Sequence, residues 1–190
     1  MVGWAHDTDY ISHVHSLKNL WEIRVSKVRK SIQKDWTLFP FLVAASVGFI
    51  VAILDFVFLQ SLKFQVFALA GLFMLLIGAY LRNKARLELK KKAGFSSLAA
   101  TGRLQIVEGH QLVKDGLYEH IRHPIYLGET VRNFGLVSIF SSIYGVLFIA
   151  VATIFLLFRI RIEEKTLNEV FGEEYKEYQR KTKRLIPYIY

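Results

Sequence analysis

PIYLGETVRNFGLVSIFSSIYGVLFIAVATIFLLFRI, residues 124–160, is the stretch on which the fold turns. Residues 134–158 could form one tilted membrane span of 25 residues. Alternatively, residues 124–140 and 143–160 are two spans that turn at Ser141-Ser142. Upstream there is less ambiguity. Residues 38–59 carry a single charge, Asp55, and residues 64–81 carry none. At 1.5 Å per residue each can cross a hydrocarbon core of about 30 Å, the second with little to spare. Only residues 60–63 separate them, which predicts a tight helical hairpin.

Charge chooses between the two readings of 124–160. Of 25 Lys and Arg, six lie in residues 1–37, nine in 82–123 and eight in 159–190. Lys63 and Arg132 are the remainder. Basic segments stay on the cytoplasmic side, so the crossings on each side of the central loop must be even in number. The expected fold is therefore all-α and polytopic, with about four transmembrane helices in two hairpins and both termini cytoplasmic. The chain divides as one membrane-embedded domain, 1–190. An interfacial helix (1–36) precedes the first hairpin (38–81). A cytoplasmic loop (82–123), the second hairpin (124–160) and a cytoplasmic helical tail (161–190) follow.

The composition fits this division. Hydrophobic residues make up 53% of the 190, beside 22% charged, so the two kinds are segregated along the chain. Mean hydropathy is +0.29. The net charge of +9 follows from basic loops near anionic lipid headgroups. It does not point to nucleic acid, because the basic residues flank apolar spans instead of forming a domain. There is no cysteine, hence no disulfide and no thiolate metal site. His6, His13 and His15 lie near a free end and are not read as metal ligands. Asp7, Asp9 and His13 fall where a signal peptide would need an apolar core.

Several features set the local expectations. Val14, Leu17, Trp21, Val25, Val28 and Ile32 recur at helical spacing within residues 10–36. Such a stripe suits a helix on the membrane surface or packed under the spans, with a homodimer through this helix as the alternative. Residues 82–93 should prolong the second span as a charged helix ending near Gly94. Residues 94–120 hold Gly94, Gly102, Gly109 and Gly116, with a short extended pattern at 103–107, and read as a long functional loop. After the last span Gly172 is a helix stop, a short helix follows over 173–181 and Pro187 ends the tail. Asp55 is expected to reach outward to water, and Tyr175 and Tyr178 to pack. Glu129 and Arg132, three apart inside the third span, should pair with each other or line an access route for a substrate.

The chemistry gathers at two places. Gly109-His110-Gln111-Leu112-Val113, Gly116-Leu117-Tyr118 and Arg122-His123-Pro124-Ile125-Tyr126 lead into the third span. Arg159, Glu163-Glu164, Leu167, Phe171-Gly172, Tyr175, Tyr178 and Arg184-Leu185-Ile186-Pro187 follow the fourth. Taken alone, Arg122-His123 could anchor a helix start with Pro124 at its first position, and Glu163-Glu164 could be a solvated face. No Gly-rich nucleotide motif is present.

Together, the order and spacing of these blocks resemble the isoprenylcysteine carboxyl methyltransferase and phospholipid methyltransferase superfamily. The resemblance covers roughly residues 100–190; residues 1–80 share only their apolar, helical character. It implies an integral membrane methyltransferase that uses S-adenosyl-L-methionine at the cytoplasmic surface. By position, His110, Leu112, Val113, Gly116, Tyr118, Arg122, His123, Pro124 and Tyr126 would line the cofactor pocket. Glu163 and Glu164 would meet the cofactor's ammonium, hydroxyls or sulfonium. Arg159 and Glu163 would serve the chemistry, with Arg159 placing the acceptor or an anionic lipid headgroup.

The residue types suit such a ligand. Carboxylates match its cations, an Arg or His its carboxylate, and aromatic walls its adenine. Arg159 and Glu163 are four apart and share a helix face. The expected partners are membrane lipids and a lipophilic acceptor bearing a carboxylate, amine or thiol. Two other functions compete. Arg122 to Glu129 also resembles the C-terminal part of NADPH-dependent sterol reductases, although Ile125 stands where those proteins usually have Asn. A non-catalytic membrane interaction protein would rest on the N-terminal helix.

Overall fold

The computed structural model describes residues 36–59, 65–93 and 112–186. The N-terminal amphipathic stripe, the 60–63 connection, the 103–107 extended pattern, His110 and Pro187 lie outside them. Five α-helices make up the described fold: α1 (Leu38–Leu59), α2 (Gln65–Ala93), α3 (Pro124–Ile139), α4 (Ile143–Phe171) and α5 (Glu173–Lys181). A 3-10 turn, Gly116–Glu119, precedes α3. Among the described residues there is no strand, only a single parallel bridge between Ile121 and Lys183.

The helix ends follow local chemistry. Pro124 opens α3 at a position where its missing N–H is no loss. The Ser142 side chain caps α4 by accepting from Gly145 N–H at 3.0 Å. Between the two helices the chain turns through Ser141, which takes φ +52°. The long apolar stretch is thus two helices broken at the serines. Gly172, at φ +57°, stops α4 and lets α5 leave at a new angle.

Packing differs from the expected pairing. α2 lies against α3, α1 against α4, and α3 against α4, whereas α1 and α2 have little direct contact. The consecutive first pair is therefore not a packed hairpin. Small residues explain the choice. Gly71 and Gly78 on α2 meet Gly135 and Gly128 on α3 so closely that a Cβ on Gly78 would lie 2.3 Å from Arg132 N. The register runs antiparallel, 71 opposite 135 and 78 opposite 128. On the other side Ala45, Gly48, Ala52 and Asp55 form the buried face of α1, and Gly48 and Gly145 meet across α1 and α4. Small faces let backbones approach, and in lipid such packing replaces the hydrophobic drive between helices. Asp55 shares that face and is buried instead of reaching outward to water.

Three helices, α1, α2 and α4, are long and apolar enough to cross a membrane. Their outward faces carry exposed Phe39, Ile50, Phe58, Phe73, Leu147 and Ile154. A large exposed apolar surface of this kind is a lipid-facing one. α3 has 16 residues, about 24 Å of helix, which falls short of the hydrocarbon thickness.

Candidate functional site

The site lies at one end of the bundle, where the start of α1, the last turns of α2, the start of α3 and the later part of α4 meet. Glu164, on α4 beyond its apolar run, is 4% exposed. Arg122 Nε donates to its Oε1 at 2.7 Å, and Arg184 Nε to its Oε2 at 2.8 Å. His123 Nε2 lies 3.3 Å from Oε1. Burial alone would raise this carboxyl, but the hydrogen bonds from His123, Arg122 and Arg184 outweigh it and hold the group at about 2. Arg122 has further partners, since its Nη1 also donates to the carbonyls of Gln179 and Thr182.

The backbone joins the same partners. Arg122 N–H donates to Lys183 O at 2.8 Å, His123 N–H to Arg184 O at 3.1 Å and Lys183 N–H to His120 O at 3.2 Å. The tail after α5 therefore doubles back and lies beside residues 120–123. The two motif blocks, some sixty residues apart, are held together by main chain and by one carboxylate. Thr182 and Arg184 are site residues that the sequence pattern does not single out. The only signal was the terminal Arg-Leu-Ile-Pro block, which says nothing about where it docks.

Glu163 has a different setting. Its Oε2 is buried with no hydrogen-bond partner among the described residues and lies 4.0 Å from His123 Nδ1. Tyr126, from the first turn of α3, faces the same carboxylate. The Tyr126 hydroxyl also accepts from Arg159 Nε at 3.1 Å. Arg159, 7% exposed and four residues before Glu163, completes a row across the start of α3 and the α4 face. The fold thus brings together His123, Tyr126, Arg159 and Glu163, with Arg122 and Glu164 directly behind His123.

The remaining loop residues face elsewhere. Val113 and Tyr118 are buried in a cluster with Ala85 of α2, packed by Leu89, Leu117 and Ile125. Gly116, at φ +66°, brings the turn so close to Glu88 that a Cβ would lie 2.6 Å from its Oε2. That Glu88 oxygen accepts from Leu117 N–H at 2.9 Å. Tyr118 still borders the site: burial pushes its hydroxyl far up, and the Glu163 charge adds to the shift. Leu112 precedes this cluster and is partly buried, and Pro124 is fully buried at the start of α3. Tyr178 packs and donates its hydroxyl to Tyr118 O at 2.6 Å. Tyr175 is 1% exposed, and its hydroxyl has no hydrogen-bond partner among the described residues.

Glu129 and Arg132 do pair, as their spacing suggested, and Arg82 of α2 joins the same carboxylate. On the outer side of α4 and α5 an open cavity of about 520 Å³ is lined by Arg161, Glu164, Lys165, Asn168, Glu169, Gln179 and Arg184.

The sequence profile of the isoprenylcysteine carboxyl methyltransferase family matches residues 72–169. Protein-S-isoprenylcysteine O-methyltransferase of Schizosaccharomyces pombe is 33% identical over 133 residues, covering 70% of this chain and 54% of that protein. Its counterpart in Rattus norvegicus is 31% identical over 198 residues, covering 98% and 66%. Methanethiol S-methyltransferase 1 of Bradyrhizobium diazoefficiens is 40% identical over 72 residues, covering 38% and 25%. A solved structure of the eukaryotic intramembrane Ras methyltransferase ICMT superposes with a TM-score of 0.63 at 25% identity, over 78% of this chain and 52% of that one. The chain spans about half the length of the curated yeast relatives it matches. The profile match runs from the glycine seam of α2, through the Arg122-His123 segment, to the paired glutamates and the end of α4. The match covers just over half of the chain, and the chain belongs to the isoprenylcysteine carboxyl methyltransferase family.

Proposed function

We propose that this protein is an integral membrane methyltransferase that uses S-adenosyl-L-methionine and acts on a lipophilic acceptor. The observation that carries the reading is Glu163 Oε2, a buried carboxylate oxygen with no hydrogen-bond partner among the described residues, set between His123 and Tyr126. Beside that oxygen stand His123, 4.0 Å away, and the Tyr126 side chain, and a cationic ligand is the chemistry that completes the pairing of the carboxylate. The cofactor's ammonium and sulfonium fit that need, and the aromatic side chains nearby suit its adenine. When bound, S-adenosylmethionine supplies a methyl group activated by its sulfonium. Family membership favours this cofactor over the NADPH of the sterol reductases.

The chain's own residues then divide the work. Glu163 holds the cationic part of the cofactor, and His123, Tyr126 and Pro124 form the wall beside it. Arg159, oriented by the Tyr126 hydroxyl, positions the acceptor. Arg122 and Glu164 act from behind, fixing His123 and the tail. Tyr118 borders the pocket, and Leu112, Val113 and Gly116 hold the loop that carries it against α2. Alignment and exclusion of water are the main contributions a protein makes to an in-line methyl transfer. The acceptor class includes a carboxylate, as the names of the isoprenylcysteine relatives suggest, and a thiol, as that of the methanethiol enzyme suggests.

The topology completes the proposal. α3 crosses as a short fourth span, sheltered between α2 and α4, so both termini and the site face the cytoplasm. The acceptor arrives from the bilayer and the cofactor from water. Calorimetry on the purified protein should show binding of S-adenosylmethionine and S-adenosylhomocysteine. Binding of NADPH with neither of these would overturn the cofactor assignment. With labelled cofactor, transfer to apolar acids, amines and thiols should rise with acceptor chain length up to a limit. Equal turnover of short water-soluble acceptors would refute delivery from the lipid.

A further inference from the structure

A second charged cluster lies on the α2–α3 side of the bundle, apart from the Glu163 row. Arg82 and Arg86 are one turn apart on α2, and Arg132 and Glu129 are one turn apart on α3. Glu129 takes ion pairs from both Arg82 and Arg132. Arg132 also donates to Asn133 Oδ1, at 3.0 Å from Nη2 and 3.3 Å from Nε. Arg86 interacts electrostatically with the same three charges, and its Nε is buried with no hydrogen-bond partner among the described residues. Three guanidiniums thus share one carboxylate, leaving two positive charges unmatched within the cluster.

The surroundings indicate what matches them. The side chains of Arg82 and Arg132 remain 21% and 28% exposed, so the cluster reaches the surface. Arg82 directly follows the apolar run of residues 64–81, so the cluster stands where that span ends, while Leu76, Tyr80 and Leu87 are exposed on the far face of α2, turned away from α3. Gly78 and Gly128 set Arg82 level with the second turn of α3, and Arg86 lies one turn nearer its start. The guanidiniums therefore sit within about two turns of the boundary, where a phospholipid presents its phosphate. Unmatched arginines at the end of a membrane span take an oxyanion, and guanidinium forks suit phosphate oxygens.

We propose that Arg82, Arg86 and Arg132, organised by Glu129, form a binding site for the phosphate of a bilayer phospholipid. The bound headgroup would clamp α2 to α3 and thereby hold the Glu88 contact that carries the loop before the Arg122-His123 segment. The proposal does not depend on the methyltransferase reading, because its readout is lipid binding.

The test compares wild type with Arg86→Gln, which spares both ion pairs to Glu129. Native mass spectrometry of purified protein in mild non-ionic detergent, titrated with phosphatidylglycerol, should show one tightly retained lipid. Diacylglycerol with the same chains should not be retained, and inorganic phosphate should compete only weakly. Arg86→Gln should weaken retention at least about tenfold, and Arg86→Lys should restore part of it. Far-UV circular dichroism of both variants should match wild type. If Arg86→Gln unfolds, Arg86→Lys with the diacylglycerol comparison still decides. Equal retention of diacylglycerol, unchanged binding in Arg86→Gln, or binding of inorganic phosphate as tight as that of the lipid would overturn the proposal. So would displacement of the lipid by an apolar carboxylate acceptor at equal affinity, which would assign the arginines to the acceptor.

Discussion

At the residue scale, two adjacent glutamates do different work because a helix turns by about 100° per residue. Glu164 points into Arg122, His123 and Arg184, whereas Glu163 points toward Tyr126 and the other side of His123. Glu164→Gln should therefore act as a stability variant. It removes the anion that Arg122, Arg184 and His123 share, and loss of one partner of a buried pair costs about 3–5 kcal/mol. Glu163→Gln should leave the melting temperature near wild type while cofactor affinity falls roughly ten- to a hundredfold, the worth of a charged hydrogen bond. Calorimetry and thermal melts on both variants separate the roles, and equal melting temperatures for the two would contradict the division. The Glu164 carboxyl is also held below its unfolded value. Its contribution to stability is therefore complete above about pH 4.5 and is lost as pH falls from there toward 2. A stability profile of wild type should decline over that interval more steeply than that of Glu164→Gln.

At the element scale, the α2–α3 seam and the α4–α5 break depend on glycine for opposite reasons. At Gly78 the partner backbone is the obstacle, with Arg132 N 2.3 Å from where a Cβ would stand. Gly78→Leu should push the helices apart and cost well over the 1–3 kcal/mol typical of an overpacked core. At Gly172 nothing lies within 4 Å, and only φ +57° resists a side chain. Gly172→Ala should cost about 1–3 kcal/mol, the strain of a side chain at φ +57° and ψ −126°, outside the left-handed helical region. Melting both variants in the same detergent gives the ranking; a larger loss for Gly172→Ala would mean that the seam does not hold the bundle. The element limits were largely legible in advance. Ser141-Ser142 marks the α3–α4 turn, Gly172 stops α4, and α5 spans residues 173–181 as the sequence suggested. These are local matters of capping and backbone conformation, carried by neighbouring residues.

At the scale of the whole molecule, the tail closes the site. Residues 182–184 bring the bridge to Ile121, the carbonyl that receives Arg122 and the guanidinium that reaches Glu164. A chain ending after Lys181 should keep its helical content yet lose cofactor binding, measured by circular dichroism and calorimetry together. Retained affinity in that truncation would mean that the tail is a bystander. Reporter fusions after residues 62, 100, 142 and 190 should read outside, inside, outside, inside. An external reading at 190 would leave the 16 residues of α3 short of a full crossing.

The amino-acid sequence by itself determined that the chain is helical, apolar in long runs and basic between them, and that its chemistry gathers near residues 122–126 and 159–164. Those are properties of composition and short-range spacing, and they survive without knowledge of contacts. Only the tertiary structure decided that α2 packs on α3 and α1 on α4, that Asp55 turns inward, and that Arg184 shares Glu164 with Arg122. Such pairings join residues from 20 to more than 60 positions apart, and a linear pattern does not encode which of several small-residue faces meet. The same holds for Glu163 and Glu164. Their adjacency was plain in the sequence, but which one the cations would occupy depended on where the tail returned.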